Sequence, residues 1–520
     1  MTSSLRAAPW TADLGDGTYR NPVLNADWSD PDAIRVGEDF YLVASSFHRV
    51  PGLPVLWSRD LVNWTIIGHA LGELEPVAWF ARPRHGCGIW APAIRHHEGR
   101  FWIFYPDPDH GVFVVTAGDP AGPWSRPHRL KAGLGLIDPC PLWDDDGRAY
   151  LVHAWAKSRA GFNNRLTLHR MSPDATRLLD AGTIVVDADL IPGYRTLEGP
   201  KLYRHGGWYW IFAPAGGVPT GWQSVFRARD PFGPYEHRVV LAQGDTETNG
   251  PHQGAWVTTP SGQDWFLHFQ DRGACGRVVH LQPMRWREDG WPVMGADDGT
   301  GRGSPVPAHR RPLVPRPGPV CAPAVDDDFS GPGLGPQWSW QANPDPAWWS
   351  LSAAGLRLVC RGAGQGGDLR RLPNVLGQRL PAGPCTATVA LTLDSTVAGA
   401  RAGLTVLGET YALIGLERTA GGLALVHRTA PAGEPETDAA ARRPLPPGRA
   451  TAHLAVHITA GAVCRFTADV GDGPEPVGEP VTATAGRWVG ATLGLFAVAG
   501  TALAGHADFG AFRVTGEARP

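Results

Sequence analysis

Three acidic residues stand in matching contexts far apart in the chain: Asp30-Pro31, Asp138-Pro139 and Glu198-Gly199-Pro200. Trp90-Ala91-Pro92 and Gly250-Pro251-His252 occupy contexts of the same kind. Each set precedes a turn glycine (Gly37, Gly99, Gly147, Gly206, Gly262), with Asp30, Trp90, Asp138, Glu198 and His252 leading it by 7, 9, 9, 8 and 10 positions. A lone Asp-Pro is an ordinary turn or strand-start device. Three acids at equivalent places are a constellation. Gathered on one axis, they have two uses. Carboxyl groups of different proton affinity can act as general acid and general base across a glycosidic bond. The same oxygens can hold Ca²⁺. The residues by themselves leave both uses open.

The elements that would gather them follow from the repeat. After each turn glycine comes an aromatic, alternating strand: GEDFYLVASS, GRFWIFYP, GRAYLVHAW, GGWYWIFAP and GQDWFLHFQ. The glycines are spaced 62, 48, 59 and 56 residues apart, a period that predicts five four-stranded blades of a β-propeller. Asp-led turns ending in an aromatic (Arg59–Trp64, Gly118–Trp124, Arg229–Tyr235) fit outer-blade hairpins. A stacked sandwich with coincidental spacing is the competing architecture. In the propeller, the five leading positions face a central channel. Strand parity places Asp32 on the same face as Asp30, and only the register with Asp138 and Glu198 selects Asp30.

At 520 residues the chain exceeds one ordinary core. Its formal net charge of −3 carries no like-charged block, so no nucleic-acid or membrane partner is expected. The N-terminus, MTSSLRAAPWTADLGDGTYR, lacks an apolar signal core, and no run of eighteen apolar residues occurs; the chain as given reads as cytoplasmic. Seven scattered cysteines without a CxxC read as reduced thiols. Of 22 tryptophans, 17 precede residue 295, which suits either sugar stacking or β cores. Asp144, Asp145 and Asp146 read as a solvated hairpin turn.

Residues 18–300 form the predicted propeller. Residues 301–325, with seven prolines between Pro305 and Pro323, form a semi-stiff linker laid over it. From 326 to 520 the alternation resumes in an Ala/Gly/Leu-rich segment with eight or more short strands. This spacing predicts a β-sandwich of jelly-roll, concanavalin-like type, making the whole chain all-β.

The stretches NPVLNADWSDPDAIRVGEDFYLVASSF, GIWAPAIRHHEGRFWIFY, GLIDPCPLWDDDGRAYLV, LEGPKLYRHGGWYWIFAPAGG, NGPHQGAWV and HFQDRGACGRVVHLQPMRW run in order through the propeller region. In these the chain resembles glycoside hydrolase family 43, in its β-xylosidase/α-L-arabinofuranosidase branch, and DDFSGPGLGPQW resembles the start of that branch's C-terminal sandwich. The resemblance implies a five-bladed propeller and an inverting, exo-acting hydrolysis of short plant-polysaccharide oligosaccharides. It implies Asp30 as general base, Glu198 as general acid and Asp138 as the group that tunes and orients Glu198. Base and acid are then expected roughly 6.5–9.5 Å apart, with room for a water. Trp90 and Phe47 would wall the terminal-sugar subsite, Arg277 would contact sugar hydroxyls, Trp28 would line the pocket entrance, and Trp222 would form an outer subsite. His252 would either help hold a hydrated, structural Ca²⁺ in the channel or serve as a structural histidine. No cofactor is required for the chemistry. The sandwich would pack on the propeller, with a loop closing one side of the pocket. A fructan hydrolase would want Asn-Asp-Pro, Arg-Asp-Pro and Glu-Cys where Ser29-Asp30-Pro31, Ile137-Asp138-Pro139 and Glu198-Gly199 stand. A non-catalytic lectin-like propeller would lack one carboxylate, and none is missing. Another terminal sugar, such as galactose, and a homo-oligomeric assembly stay open.

Overall fold

The computed structural model describes residues 9–362, 367–437, 441–446, 448–500 and 503–516. Five four-stranded antiparallel units follow one another around a ring. Blade 1 comprises Asp32–Val36, Asp39–Val43, Gly52–Ser58 and Trp64–Leu71. Blade 2 comprises Ala93–His97, Arg100–Asp107, Gly111–Ala117 and His128–Ala132. Leu136–Trp143, Ala149–Trp155, Arg165–Met171 and Thr183–Asp187 make blade 3. Lys201–His205, Trp208–Ala215, Trp222–Ala228 and Glu236–Ala242 make blade 4. Blade 5 is His252–Thr258, Asp264–Asp271, Arg277–Trp286 and Pro292–Met294.

The repeat glycines sit in the tight turns between first and second strands. Gly37, Gly99, Gly147, Gly206 and Gly262 all have positive φ, from 57° to 82°, a region where an L side chain is strained and glycine is not. The Asp-led turns join third and fourth strands in blades 1, 2 and 4. There Asp60, Asp119 and Asp230 accept backbone N–H bonds two residues on, from Val62, Ala121 and Phe232. Between blades, aromatic and β-branched side chains interlock; Ala93, Ile137, Tyr150, Leu202 and Phe226, for example, share one buried cluster. The ring closes where Leu24 exchanges backbone hydrogen bonds with Val279 of blade 5 at 3.2 and 3.0 Å. Asp144 departs from the solvated-turn expectation. Its side chain is 5% exposed, near Arg204 and accepting from the Tyr209 hydroxyl, because the neighbouring blade covers it.

The proline-rich segment is strapped to the propeller. Thr18–Arg20 pairs with Ala308–Arg310, Ser261 Oγ donates to the Leu313 carbonyl, and the Cys321 amide donates to Asn63 Oδ1. Beyond it a continuous curled sheet forms the sandwich, following the order Ala441–Pro444, Gly422–Ala430, Tyr411–Thr419, Arg401–Leu407, Thr492–Ala499, Gly355–Gly362, Leu503–Phe509, Cys385–Asp394, Thr451–Ile458, Val463–Asp469 and Pro474–Pro476. Leucine, alanine and valine from both halves fill its core, with Trp338, Trp340 and Trp348 at one end. The all-β propeller and sandwich match the fold expected from the sequence. Residues 517–520, at the end of the expected second domain, lie outside the described residues.

Candidate active site

Asp30, Asp138 and Glu198 line one cavity of about 1060 Å³, its mouth included. Asp30 precedes the regular part of its strand and adopts φ 55°, and Asp138 adopts φ 56°. Asp138 stands where the pairing register slips between Ile137 and Cys140. Such an irregularity re-aims a side chain out of the strand's alternation. Strand parity therefore does not apply at Asp30. Asp32, already in the strand, is fully buried elsewhere, where its Oδ2 accepts from the Ile94 amide at 2.8 Å and Arg95 Nη1 at 2.7 Å.

Each carboxyl group has a different environment. Asp30 is 4% exposed and accepts from Ser45 Oγ at 2.6 Å and from Arg277 Nη1 at 3.0 Å. Arg277 Nη1 also donates to Ser29 Oγ at 2.6 Å, and the guanidinium carbon lies 4.9 Å from the Phe269 ring centroid. One guanidinium nitrogen, Arg277 Nη1, thus spans both Asp30 oxygens, at 3.0 and 3.3 Å. Asp138 accepts no hydrogen bond from a cationic side chain among the described residues, and the Lys201 charge acts on it from farther off. Burial first, then the negative charge of Glu198, pushes its carboxyl up to about 8, although the Gly199 amide donates to its Oδ2 at 2.7 Å. Glu198 keeps its side chain 21% exposed toward the cavity, with Oε1 2.8 Å from His252 Nε2. The charge of Glu198 thus opposes the ionisation of Asp138.

Phe47 and Trp90 wall the cavity at a ring separation of 6.2 Å, edge to face. Phe47 is fixed at φ 52° by reciprocal backbone bonds with Ile89. Gly88 is required there, because a β-carbon would come within 2.3 Å of the Phe47 carbonyl oxygen. Opposite, the sandwich contributes Trp488, 38% exposed, with its ring 6.0 Å from Trp90. Its loop is pinned to the propeller: the Gly490 amide donates to Asp27 Oδ2 at 2.8 Å and Arg49 Nη2 to the Gly490 carbonyl at 2.7 Å. The loop expected to close one side of the pocket is this one.

Two expected pocket residues are elsewhere. Trp28 is 2% exposed beneath Arg379, 3.8 Å from ring centroid to guanidinium carbon, and faces a different cleft at the domain seam. The Asp27–Asp30 segment turns between these two positions, which sends Trp28 away from Asp30. Trp222 is tucked against Gly216 and the edge of Tyr194, behind the cavity wall. Its place on the rim is taken by Gly217, Val218 and Pro219. His252 contacts Glu198 through Nε2. Its Nδ1 lies beside Gly221 with no hydrogen-bond partner among the described residues. Among the described residues no three His, Cys, Asp or Glu side chains cluster to hold a metal ion. Trp155, Asn163, Thr196, Gln253 and Trp488 also line the cavity, and no sequence motif singled them out. Trp488 had a signal: the four tryptophans before it in its domain all lie by residue 349, and it stands alone in an Ala/Gly-rich stretch.

Comparison with known proteins agrees with this geometry. Residues 19–292 match the model of glycosyl hydrolases family 43, and residues 326–515 match the β-xylosidase C-terminal concanavalin A-like domain. A putative β-xylosidase of Xylanibacter ruminicola is 41% identical over 78% of this chain and 73% of its own length. A non-reducing end α-L-arabinofuranosidase of Bacteroides ovatus is 31% identical over 81% of this chain and 80% of its own. The crystal structure of a xylan β-1,4-xylosidase from Bacillus halodurans superimposes with a TM-score of 0.83 at 25% identity, covering 95% of this chain and 99% of that one.

Proposed function

Since the chain belongs to glycosyl hydrolases family 43, and is thereby a glycoside hydrolase, we propose that it releases xylose or arabinofuranose from the ends or side chains of short oligosaccharides, with inversion. The single observation that carries this reading is the cavity on which Asp30, Asp138 and Glu198 from three blades converge, walled by Phe47, Trp90 and Trp488. The relatives named β-xylosidase and α-L-arabinofuranosidase support the two sugars.

The chemistry divides among the three carboxyls. Asp30, oriented by Arg277 and Ser45, is the general base that takes a proton from the attacking water. Glu198 is the general acid, giving its proton to the leaving oxygen as the glycosidic bond breaks. Asp138, through the Gly199 amide, fixes the backbone that carries Glu198. The indole of Trp488 and the ring of Phe47 exclude water and offer apolar faces to the sugar. One sugar residue in a cavity shut on this side favours cleavage from a chain end.

A panel of nitrophenyl β-xyloside, α-arabinofuranoside and β-galactoside tests the sugar assignment, with turnover expected on the first two and not the third. Proton NMR of the first-formed anomer tests inversion: a β-xyloside should yield α-xylose first, and β-xylose appearing first rejects the scheme.

A further inference from the structure

Trp90 is the wall to which the other aromatics of the cavity are fitted. Phe47 and Trp488 meet it edge to face at ring separations of 6.2 and 6.0 Å. Its own hydrogen bonds are long ones: the indole Nε1 donates to the Gly86 carbonyl at 3.2 Å and the Trp90 amide to the Pro106 carbonyl at 3.1 Å. A binding wall has to keep its place to within about 0.5 Å to favour one substrate geometry.

A charged side chain from another blade supplies the remaining hold. Arg159 stands on the short helix Lys157–Ala160, just after the second strand of blade 3. Its guanidinium carbon lies 5.2 Å from the Trp90 ring centroid, within the range of a cation–π contact. Nε and Nη2 donate to the two carboxylate oxygens of Asp109 at 3.1 and 3.3 Å. Nη2 also donates to the Gly86 carbonyl at 3.2 Å, so one carbonyl receives both the Trp90 indole and the Arg159 guanidinium. A fork of this kind is available to arginine and not to lysine.

Both ends of the contact are themselves fixed. Asp109 lies in the turn between the second and third strands of blade 2, with its amide donating to Asp107 Oδ1 at 2.9 Å. The helix rests on Gly135, whose carbonyl accepts from the Ala156 amide at 2.8 Å. A β-carbon at Gly135 would come within 2.6 Å of Ala160, so the two segments touch directly. The described residues lining the cavity include Lys157 and Ser158 but not Arg159. Its influence on a substrate therefore passes through the groups it holds, and the ring it faces is Trp90.

We propose that Arg159 is a positioning residue for sugar binding: clamped by Asp109, it braces Trp90 against the terminal sugar. The inference rests on the reading of Trp90 as a sugar wall.

The test is steady-state kinetics of the full chain on whichever nitrophenyl glycoside it turns over, with thermal unfolding alongside to show that each variant is folded. Arg159→Met should raise KM about tenfold, the loss of one charged contact, with kcat changed much less. Arg159→Lys keeps the charge without the fork and should resemble Arg159→Met. Asp109→Asn, which weakens the clamp with little change of shape, should raise KM about threefold or more. It keeps the test valid if Arg159→Met does not fold. Trp90→Ala should raise KM as well, and adding Arg159→Met to it should cost nothing further, since residues that act through one another are not additive. An unchanged KM in Arg159→Met or in Asp109→Asn overturns the brace. So do a wild-type KM in Arg159→Lys, additive losses in the double variant, and a fall in kcat at unchanged KM. If Trp90→Ala raises KM while Arg159→Met does not, the brace alone fails and the wall reading stands; an unchanged KM in Trp90→Ala removes both.

Discussion

At the scale of single residues, the distinction that matters is between two aspartates at the same left-handed backbone position in different blades. Asp30 has a guanidinium and a hydroxyl on its oxygens, whereas Asp138 has one amide and a second acid nearby. The difference is measurable in stability. Asp138 holds a proton in the folded state up to about 8 that the unfolded chain gives up near 3.8. Between those values the native state binds more protons, so this group's contribution is full below about pH 4 and is lost as pH rises toward 8. The slope is at most about 1.4 kcal/mol per pH unit. Asp138→Asn removes this dependence: its Tm relative to wild type should climb between pH 5 and 8, while turnover falls about a hundredfold or more, as for loss of a group that supports acid catalysis. Parallel Tm curves across that range would exclude the assignment. Residue types and spacing were enough to make the three acids legible in the sequence. They could not separate Trp28 from Trp90 as a pocket wall, because the turn of the Asp27–Asp30 segment decides which way Trp28 points.

At the scale of elements, the site is built from departures from regular strand geometry. A register slip carries Asp138, a strand entered late carries Asp30, and a second slip at His252–Gly254 carries Gln253 into the cavity. Gly199 links these devices, with φ 60° and its amide on Asp138; a β-carbon there would come within 2.9 Å of the Gln253 side chain. Gly199→Ala should cost about 1–2 kcal/mol of stability from the left-handed backbone and the contact, read as a lower urea midpoint. Because the amide on Asp138 shifts as well, the pH–rate profile should move with it; an unaltered midpoint and profile would show that the glycine is incidental. The blades themselves were legible from the period of the turn glycines. The register slips were not, since a sequence alternating over several residues carries no mark at the point where pairing skips one.

At the scale of the whole molecule, the cavity is complete only with the sandwich in place. Trp488 crosses from one domain to wall the other's cavity, on a loop tied through Asp27 and Arg49. Trp488→Ala should raise KM about tenfold, the loss of one aromatic contact, with kcat for an activated aryl glycoside changed much less; an equal fall in kcat with unchanged KM would contradict a wall role. The strand pattern after residue 326 foretold a sandwich. Which of its loops reaches the propeller depends on how the two domains dock, through contacts hundreds of residues apart such as Gly490 with Asp27. The account as a whole stands on the pairing of Asp30 and Glu198 across one substrate. Its most direct test is turnover of Asp30→Asn and Glu198→Gln on a xylo-oligosaccharide, with thermal unfolding measured alongside. Each variant is predicted to lose about three orders of magnitude or more in kcat, given what base and acid supply in such reactions, while Tm stays near that of wild type. Near-wild-type turnover in either folded variant would contradict it.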